Sequence, residues 1–280
     1  MGILSIQSYV ITGHVGNAAA CLPLQLLGFD VWTLNTVVLS NHPAVRPPKS
    51  QINNPQKILD FFDGICELGL LVECEAVLGG YLENAANGAA MVEIAAKVKQ
   101  FNKRALFICD PVMGDNDRIY VKGDIVNFYK NNAIGLADVI LPNAFEAYLL
   151  TGVEVADIES AIKAIEIMKN YGPKIVIISG VNIPNTEKLA TLMSFENEVW
   201  LTMAPKVAAP SQGAGDLLSA LFTGHYLKNG NPKDSFNLAV AGVHAALVYA
   251  KMISHEFLPL VSAQSSIINP PKIFSTKRIK

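Results

Sequence analysis

The 280-residue chain is 51% hydrophobic and 16% charged, with a formal net charge of −2 at pH 7. Enough apolar material is present for a sizeable core, which excludes global disorder. The near-neutral balance, with no basic stripe before the short tail "STKRIK", excludes an electrostatically driven nucleic-acid binder.

The elements alternate along the chain. "ILSIQ" reads as a strand, "GNAAACLPLQLLG" as a helix closed by Gly28, and "VWTLNTVVL" as a second strand. No Lys or Arg precedes Arg46, so the apolar N-terminal stretch lacks the basic region of a signal peptide. Pro23 falls inside the first helix, where a kink is expected. "NPQKILDFFDGICEL" is a helix with Pro55 near its start, "AVLGGY" a strand running into a glycine turn, and "AANGAAMVEIAAKVKQFN" a helix. "ALFICDPV" is a strand ending at an acid. "ADVILPN" is a strand, followed by the helices "AFEAYLLTG" and "IESAIKAIEIMKNYG" and the strand "KIVIISG". "TLMSFEN" and "EVWLTMA" read as a hairpin at one sheet edge. Two helices, "GDLLSALFTGHYLK" and "DSFNLAVAGVHAALVYAKMI", and a solvated tail complete the chain. The β-α order implies an α/β fold: a mostly parallel central sheet with an antiparallel edge and helices on both faces. No linker or repeat divides it, so residues 1–280 read as one domain. No stretch reaches the roughly 18 uninterrupted apolar residues of a membrane span. The cysteines Cys21, Cys66, Cys74 and Cys109 form no C-x-x-C pair and read as reduced thiols of a cytoplasmic protein.

In open α/β sheets, ligands bind outside the carboxyl ends of the strands. Polar residues gather at those ends here: Ser8, then Asn35, Thr36, Asn41 and His42, then Gly79, Gly80 and Tyr81, then Asp110 and Asp115, Asn143 and Glu146, and Ser179 and Gly180. "GAGD", residues 213–216, precedes an apolar helix. Amides of Gly213, Ala214 and Gly215 at a helix entry suit an anion, including charge on a transferring phosphoryl group. Asp216 would then accept a hydroxyl proton. The alternative is a capped helix with glycines for close packing. In "CDPVMGDND", Asp110 and Asp115, with the later Glu146, form a set that suits Mg²⁺, directly or through water. Asp115 and Asp117 taken singly also suit solvated loops. In "PNAFEA", Asn143 and Glu146 equally suit a capping box. There is no Walker A motif, no protein-kinase HRD or DFG, and no GxGxxG after the first strand.

The stretches "ILSIQSYVITGHVGN", "VWTLNTVVLSNH", "GGYL", "CDPVMGD", "LPNAFEA" and "GAGD", in this order, resemble a pyridoxal kinase of the ribokinase-like superfamily. The resemblance runs from the first strand to the tail. It implies a ribokinase-like three-layer α/β/α sandwich and ATP-dependent phosphorylation of the 5′-hydroxymethyl group of pyridoxal, pyridoxine or pyridoxamine. It also implies a homodimer, Mg²⁺ with ATP, and a monovalent cation such as K⁺. By position, Asp216 is the base and the amides of Gly213, Ala214 and Gly215 form the anion hole. Ser8, Thr36 and Tyr81 line the vitamin pocket with His42 near it. Asp110, Asp115, Asn143 and Glu146 face metal and phosphates, Asp110, Asp115 and Glu146 being the metal set, and Ser179 lies on the nucleotide side.

Three departures stand out. After "SNH" the family carries a glycine- and aromatic-containing flap, and this chain has "PAVRPPKSQ". Ala214 stands where Thr is common, and Leu141 where some relatives have Thr. They motivate two alternatives: a hydroxymethylpyrimidine kinase-like enzyme, and a non-catalytic B6-binding protein on the same fold.

Overall fold

A computed structural model describes residues 1–116 and 118–280. In chain order the elements are β1 (Gly2–Val10), α1 (Asn17–Leu26), β2 (Asp30–Leu39), β3 (Ser50–Ile52), α2 (Pro55–Glu67), β4 (Cys74–Gly79), α3 (Ala85–Phe101), β5 (Leu106–Cys109), β6 (Gly114–Asp115) and β7 (Arg118–Ile119). They continue with α4 (Gly123–Phe128), β8 (Val139–Ile140), α5 (Ala144–Thr151), α6 (Ile158–Lys169), β9 (Ile175–Asn182), β10 (Lys188–Phe195), β11 (Glu198–Pro205), α7 (Ala214–Asn229), α8 (Pro232–Met252), α9 (Gln264–Ile268) and β12 (Thr276–Arg278).

Ten strands form one sheet in the order β12-β11-β10-β9-β8-β5-β4-β1-β2-β3. The run from β9 to β2 is parallel. Its strands alternate side chains between two cores, as a pleated strand must. Leu4, Ile6, Val77 and Phe107 pack under α2, α3, α4, α5 and α6. Ile3, Leu78, Ile108 and Ile177 pack under α1, α7, α8 and α9. This is the three-layer arrangement expected from the β-α alternation.

The helix boundaries follow local chemistry. Asn54 and Asn84 each accept a bond from the amide three residues on, at the starts of α2 and α3. Gly152 and Gly230 close α5 and α7 in the left-handed region. Pro23 lies within α1, which continues to Leu26.

The antiparallel part is larger than the sequence suggests. The hairpin β10–β11 forms as expected, with Phe195 opposite Glu198. The tail, expected to be solvated, instead adds β12 to the edge of β11, pairing Trp200 with Arg278 and Thr202 with Thr276. Arg278 also bonds Glu198 at 2.6 Å, so one basic residue of "STKRIK" pairs with an acid of the edge strand it covers. At the other edge, Ser50–Ile52 of the proline-rich flap pairs with Val37–Leu39. Ser40 and Asn41 hold the intervening loop: Lys49 N–H donates to Ser40 Oγ at 3.0 Å, and Asn41 Nδ2 to the Arg46 carbonyl at 2.8 Å.

Deleting residues 276–280 removes this ladder and uncovers β11. The unfolding free energy should fall by roughly 2 kcal/mol, counting about 1 kcal/mol for each of a few net hydrogen bonds. Urea denaturation reads this, and an unchanged midpoint would restore the solvated tail.

Candidate active site

The site lies at the carboxyl ends of the parallel strands, where the strand order reverses between β1 and β4. Two backbone irregularities shape it. The register of β1 on β2 shifts between Gln7 and Tyr9, and that of β9 on β10 shifts next to Ser179 and Gly180. Such bulges re-aim side chains next to a site. Ser8 and Ser179 therefore lie inside β1 and β9 rather than after them, because each strand runs on to pair with a neighbour.

Gly213, with φ of +86°, precedes α7. A Cβ there would run into the His14 carbonyl oxygen, so the β1–α1 loop sits directly on the helix entry. Gly16 has φ of +55°, and its Cβ would strike the carbonyl and hydroxyl of Ser8. The Ala214 amide donates to the Ser211 carbonyl at 2.9 Å. It is therefore spent in a turn and is not free for the anion hole the sequence suggests. The amides of Gly213 and Gly215 have no backbone acceptor among the described residues outside α7.

Asp216, in the first turn of α7, is half-buried. Burial raises its pKa, while the Gly16 amide and its own amide pull it back down. Asp110 directly follows β5 and is buried. Ser219 Oγ lies 2.6 Å from Asp110 Oδ2 and 3.0 Å from the Gly215 carbonyl, tying β5 to α7. Burial first, and then the charge of Asp216, push Asp110 up to about 8 against the Ser219 bond.

Glu146 is buried and completes a capping box: its Oε2 accepts from the Asn143 amide at 2.9 Å, and Asn143 Oδ1 accepts from the Glu146 amide at 2.8 Å. Its Oε1 accepts from the Met113 amide at 2.9 Å. Burial and the charge of Asp110 nevertheless hold Glu146 well above the usual carboxylate range. Asn143 also donates to the Gly114 carbonyl at 2.8 Å and bridges to Ser179. Asn143, Glu146, Gly114 and Ser179 thus form one connected set.

On the other side, Thr36 Oγ1 donates to the Tyr81 carbonyl at 2.7 Å, and the Tyr81 hydroxyl donates to Glu83 Oε2 at 3.0 Å. Two predicted residues stand apart. Asp115 is exposed and its oxygens accept from Asn116. His42 is half-buried in the flap, where its Nδ1 accepts from the Ala44 amide at 3.2 Å, and burial lowers its pKa. Asp117 lies outside the described residues.

Sequence reasoning missed Tyr120. Its phenol is pushed up by burial and then by the charges of Glu146, Asp115, Asp110 and Asp216, although 55% of the residue is exposed. Its position six residues past Gly114 carries no motif that would have marked it.

Among the described residues no three His, Cys, Asp or Glu side chains form a group that holds a metal by themselves. The donor chemistry still fits a hydrated divalent cation. Burial disfavours charge on Asp110, Glu146 and Asp216, the charge of Asp216 adds to this at Asp110 and that of Asp110 at Glu146, a cation would offset both, and Mg²⁺ keeps most of its waters. Two open pockets, of about 360 Å³ at the β9–β10 loop and 640 Å³ between α3 and residues 128–136, include none of the residues singled out above.

The sequence model of the family described as phosphomethylpyrimidine kinase matches residues 72–261. A pyridoxal kinase PdxY of Rubrobacter xylanophilus is 36% identical over 283 residues, covering 100% of this chain and 98% of the relative. The pyridoxal kinase of Leishmania donovani in complex with ADP and pyridoxine superposes with a TM-score of 0.94 at 28% identity, covering 100% of this chain and 99% of that one. Plasmodium falciparum PdxK with AMP-PNP and PL gives 0.89 at 26% identity, again over 100% and 99%.

Because the folded chain holds a proton on Asp110 that the unfolded chain releases, stability falls as pH rises from the ordinary carboxylate range to about 8. Asp110→Asn removes this burden. Relative to the unaltered chain, its thermal midpoint should be higher at about pH 8 than at about pH 5. A difference independent of pH would contradict the raised value.

Proposed function

The chain belongs to the pyridoxal kinases of the ribokinase-like fold, within the wider family of phosphomethylpyrimidine kinases, and from that premise we propose how its residues divide the reaction. The protein is a phosphotransferase with an alcohol acceptor. It phosphorylates B6 vitamers at the 5′-hydroxymethyl group with ATP.

The first turn of α7 carries the assignment of roles. Asp216 takes the proton from the 5′-hydroxyl as that oxygen attacks the γ-phosphorus. Its raised pKa brings it nearer the working pH, which suits a general base. The amides of Gly213 and Gly215, with the dipole of α7 behind them, stabilise the charge that gathers on the transferring group. Ala214 contributes through the Ser211 turn that shapes this entry.

Ser8, Thr36 and Tyr81 orient the vitamin ring, with His42 on the flap above it. Support comes from the Gly16 loop, which packs on Ser8 and directs an amide to Asp216, so vitamin pocket and base share one backbone segment. Asn143 and Ser179 serve the nucleotide side, and Asp115 the phosphates. Asp110 and Glu146, with Asp115 through water, would hold a hydrated Mg²⁺. Bound there, the ion supplies charge neutralisation at the phosphates.

Residues 1–280 act as one kinase domain in this reading, supported by a sheet whose strands run from Gly2 to Arg278. A homodimer is supported by the outer edge of β3, which has no further strand paired to it among the described residues and where Ile52 is exposed. A cytoplasmic location is supported by four free thiols. No helix among the described residues is long and apolar enough to cross a membrane.

Purified protein given pyridoxal, Mg²⁺-ATP and K⁺ should form pyridoxal 5′-phosphate, followed by absorbance. Asp216→Asn should lower kcat by about 10²–10⁴-fold, the usual contribution of a positioned base, with pyridoxal binding retained. Turnover within a few-fold of the unaltered chain would remove Asp216 from the role of base.

A further inference from the structure

The loop between β1 and α1, residues 11–16, is held at its two ends by backbone. At its start the Ile11 amide donates to the Leu39 carbonyl at 2.8 Å, and the Thr12 amide to the Ser40 carbonyl at 3.2 Å. At its end Gly16 bridges to Tyr9, and the Gly16 carbonyl accepts from the amides of Ala19 and Ala20 at 2.9 Å. Between these ends the backbone has little to hold it. Gly13 and Gly16 lie in the left-handed region, with φ of +93° and +55°. The amides of His14 and Val15 donate to no backbone carbonyl among the described residues.

The His14 side chain supplies the missing hold. Its Nδ1 lies 2.7 Å from the Leu258 carbonyl oxygen. A carbonyl only accepts, so Nδ1 carries the proton and donates. Burial lowers the His14 pKa, partly offset by this bond, which favours the neutral ring with its one proton at Nδ1. Leu258 is fully buried in the core under α1, α7, α8 and α9, so the loop is tied to a close-packed partner. Phe257 packs beside it, and a Cβ on Gly13 would come within 3.1 Å of that ring.

The loop carries two contacts to α7 close to this anchor. The His14 carbonyl sits on Gly213, and two residues on, the Gly16 amide stabilises charge on Asp216. A backbone shift at His14 would move both. Resting on the assignment of Asp216 as the base, we infer that His14 is a positioning residue for the reaction. Its imidazole N–H, bound to Leu258, fixes the β1–α1 loop over the entry of α7 and thereby the placement of the Asp216 carboxylate.

The test compares the unaltered chain with His14→Asn, His14→Leu and His14→Ala, each alone and combined with Asp216→Asn. Asparagine places an N–H donor at the same number of bonds from Cα as Nδ1. Leucine fills space and donates nothing, and alanine guards against a misfit of leucine. The readouts are kcat with pyridoxal, KM for ATP, and hydrogen exchange of the Gly16 amide by NMR without ligands. His14→Leu and His14→Ala should lower kcat by about tenfold to a hundredfold, the scale of a misplaced reacting group, with KM for ATP unchanged. Both should speed Gly16 exchange by about tenfold, and His14→Asn should stay within about threefold of the unaltered chain in every readout. Combined with Asp216→Asn, neither should lower kcat further, because the group they position is gone. Equal losses of kcat in all three His14 variants, or the same loss with and without Asp216→Asn, would overturn the inference. Absence of turnover in the unaltered chain, or an unimpaired Asp216→Asn, would overturn the base assignment. Gly16 exchange would then still decide whether His14 holds the loop, and unchanged exchange in His14→Leu and His14→Ala would show that it does not.

Discussion

The hydrogen bond from Ser219 to Asp110 is the contact on which the site depends. It spans 2.6 Å and joins the end of a central parallel strand to the second turn of α7. Without it, a buried carboxylate would face Asp216 and Glu146 with no donor of its own. With it, three acids are held together beside a helix entry that favours negative charge. Burial first, and then the charge of neighbouring acids on Asp110 and Glu146, raise their proton affinity, and a divalent cation would offset both.

The rest of the site is arranged around that helix entry by backbone, more than by side chains. His14 packs its carbonyl against Gly213, and Gly16 packs against Ser8, so a single loop between β1 and α1 touches both Ser8 of β1 and the entry of α7. On the far side, Glu146 gives its oxygens to the backbone of residues 113 and 143, and this links the strand ends of β5 and β8. Removing a side chain from either loop would move a strand end as well as a functional group. Effects on binding and on turnover should therefore be hard to separate at Glu146 and easier to separate at Asp216.

Much of this was legible in the sequence because it rests on local rules. The β-α alternation gave both cores, and "PNAFEA" announced a capping box that forms in full. "GAGD" marked the entry of α7, although sequence could not show that Ser211 takes the Ala214 amide. What was not legible depends on pairing at a distance or on backbone angle. Ser50–Ile52 pairs with β2 across a proline-rich loop, and Thr276–Arg278 finds β11 some seventy residues away, so neither looks like a strand by composition. Glu83 is an ordinary glutamate until its φ is known. The phosphomethylpyrimidine kinase model covers residues 72–261, where the acids and α7 lie, whereas the pyridoxal kinases match from end to end and include β1 and β2.

The most direct measurement is a residue-resolved carbon NMR titration of the Asp110 carboxyl, in the unaltered chain and in Asp216→Asn. A midpoint near the raised value of about 8, moving down once the Asp216 charge is removed, is the expected result. A midpoint in the ordinary carboxylate range, unmoved by the substitution, would contradict the picture of mutually repelling acids gathered at the entry of α7.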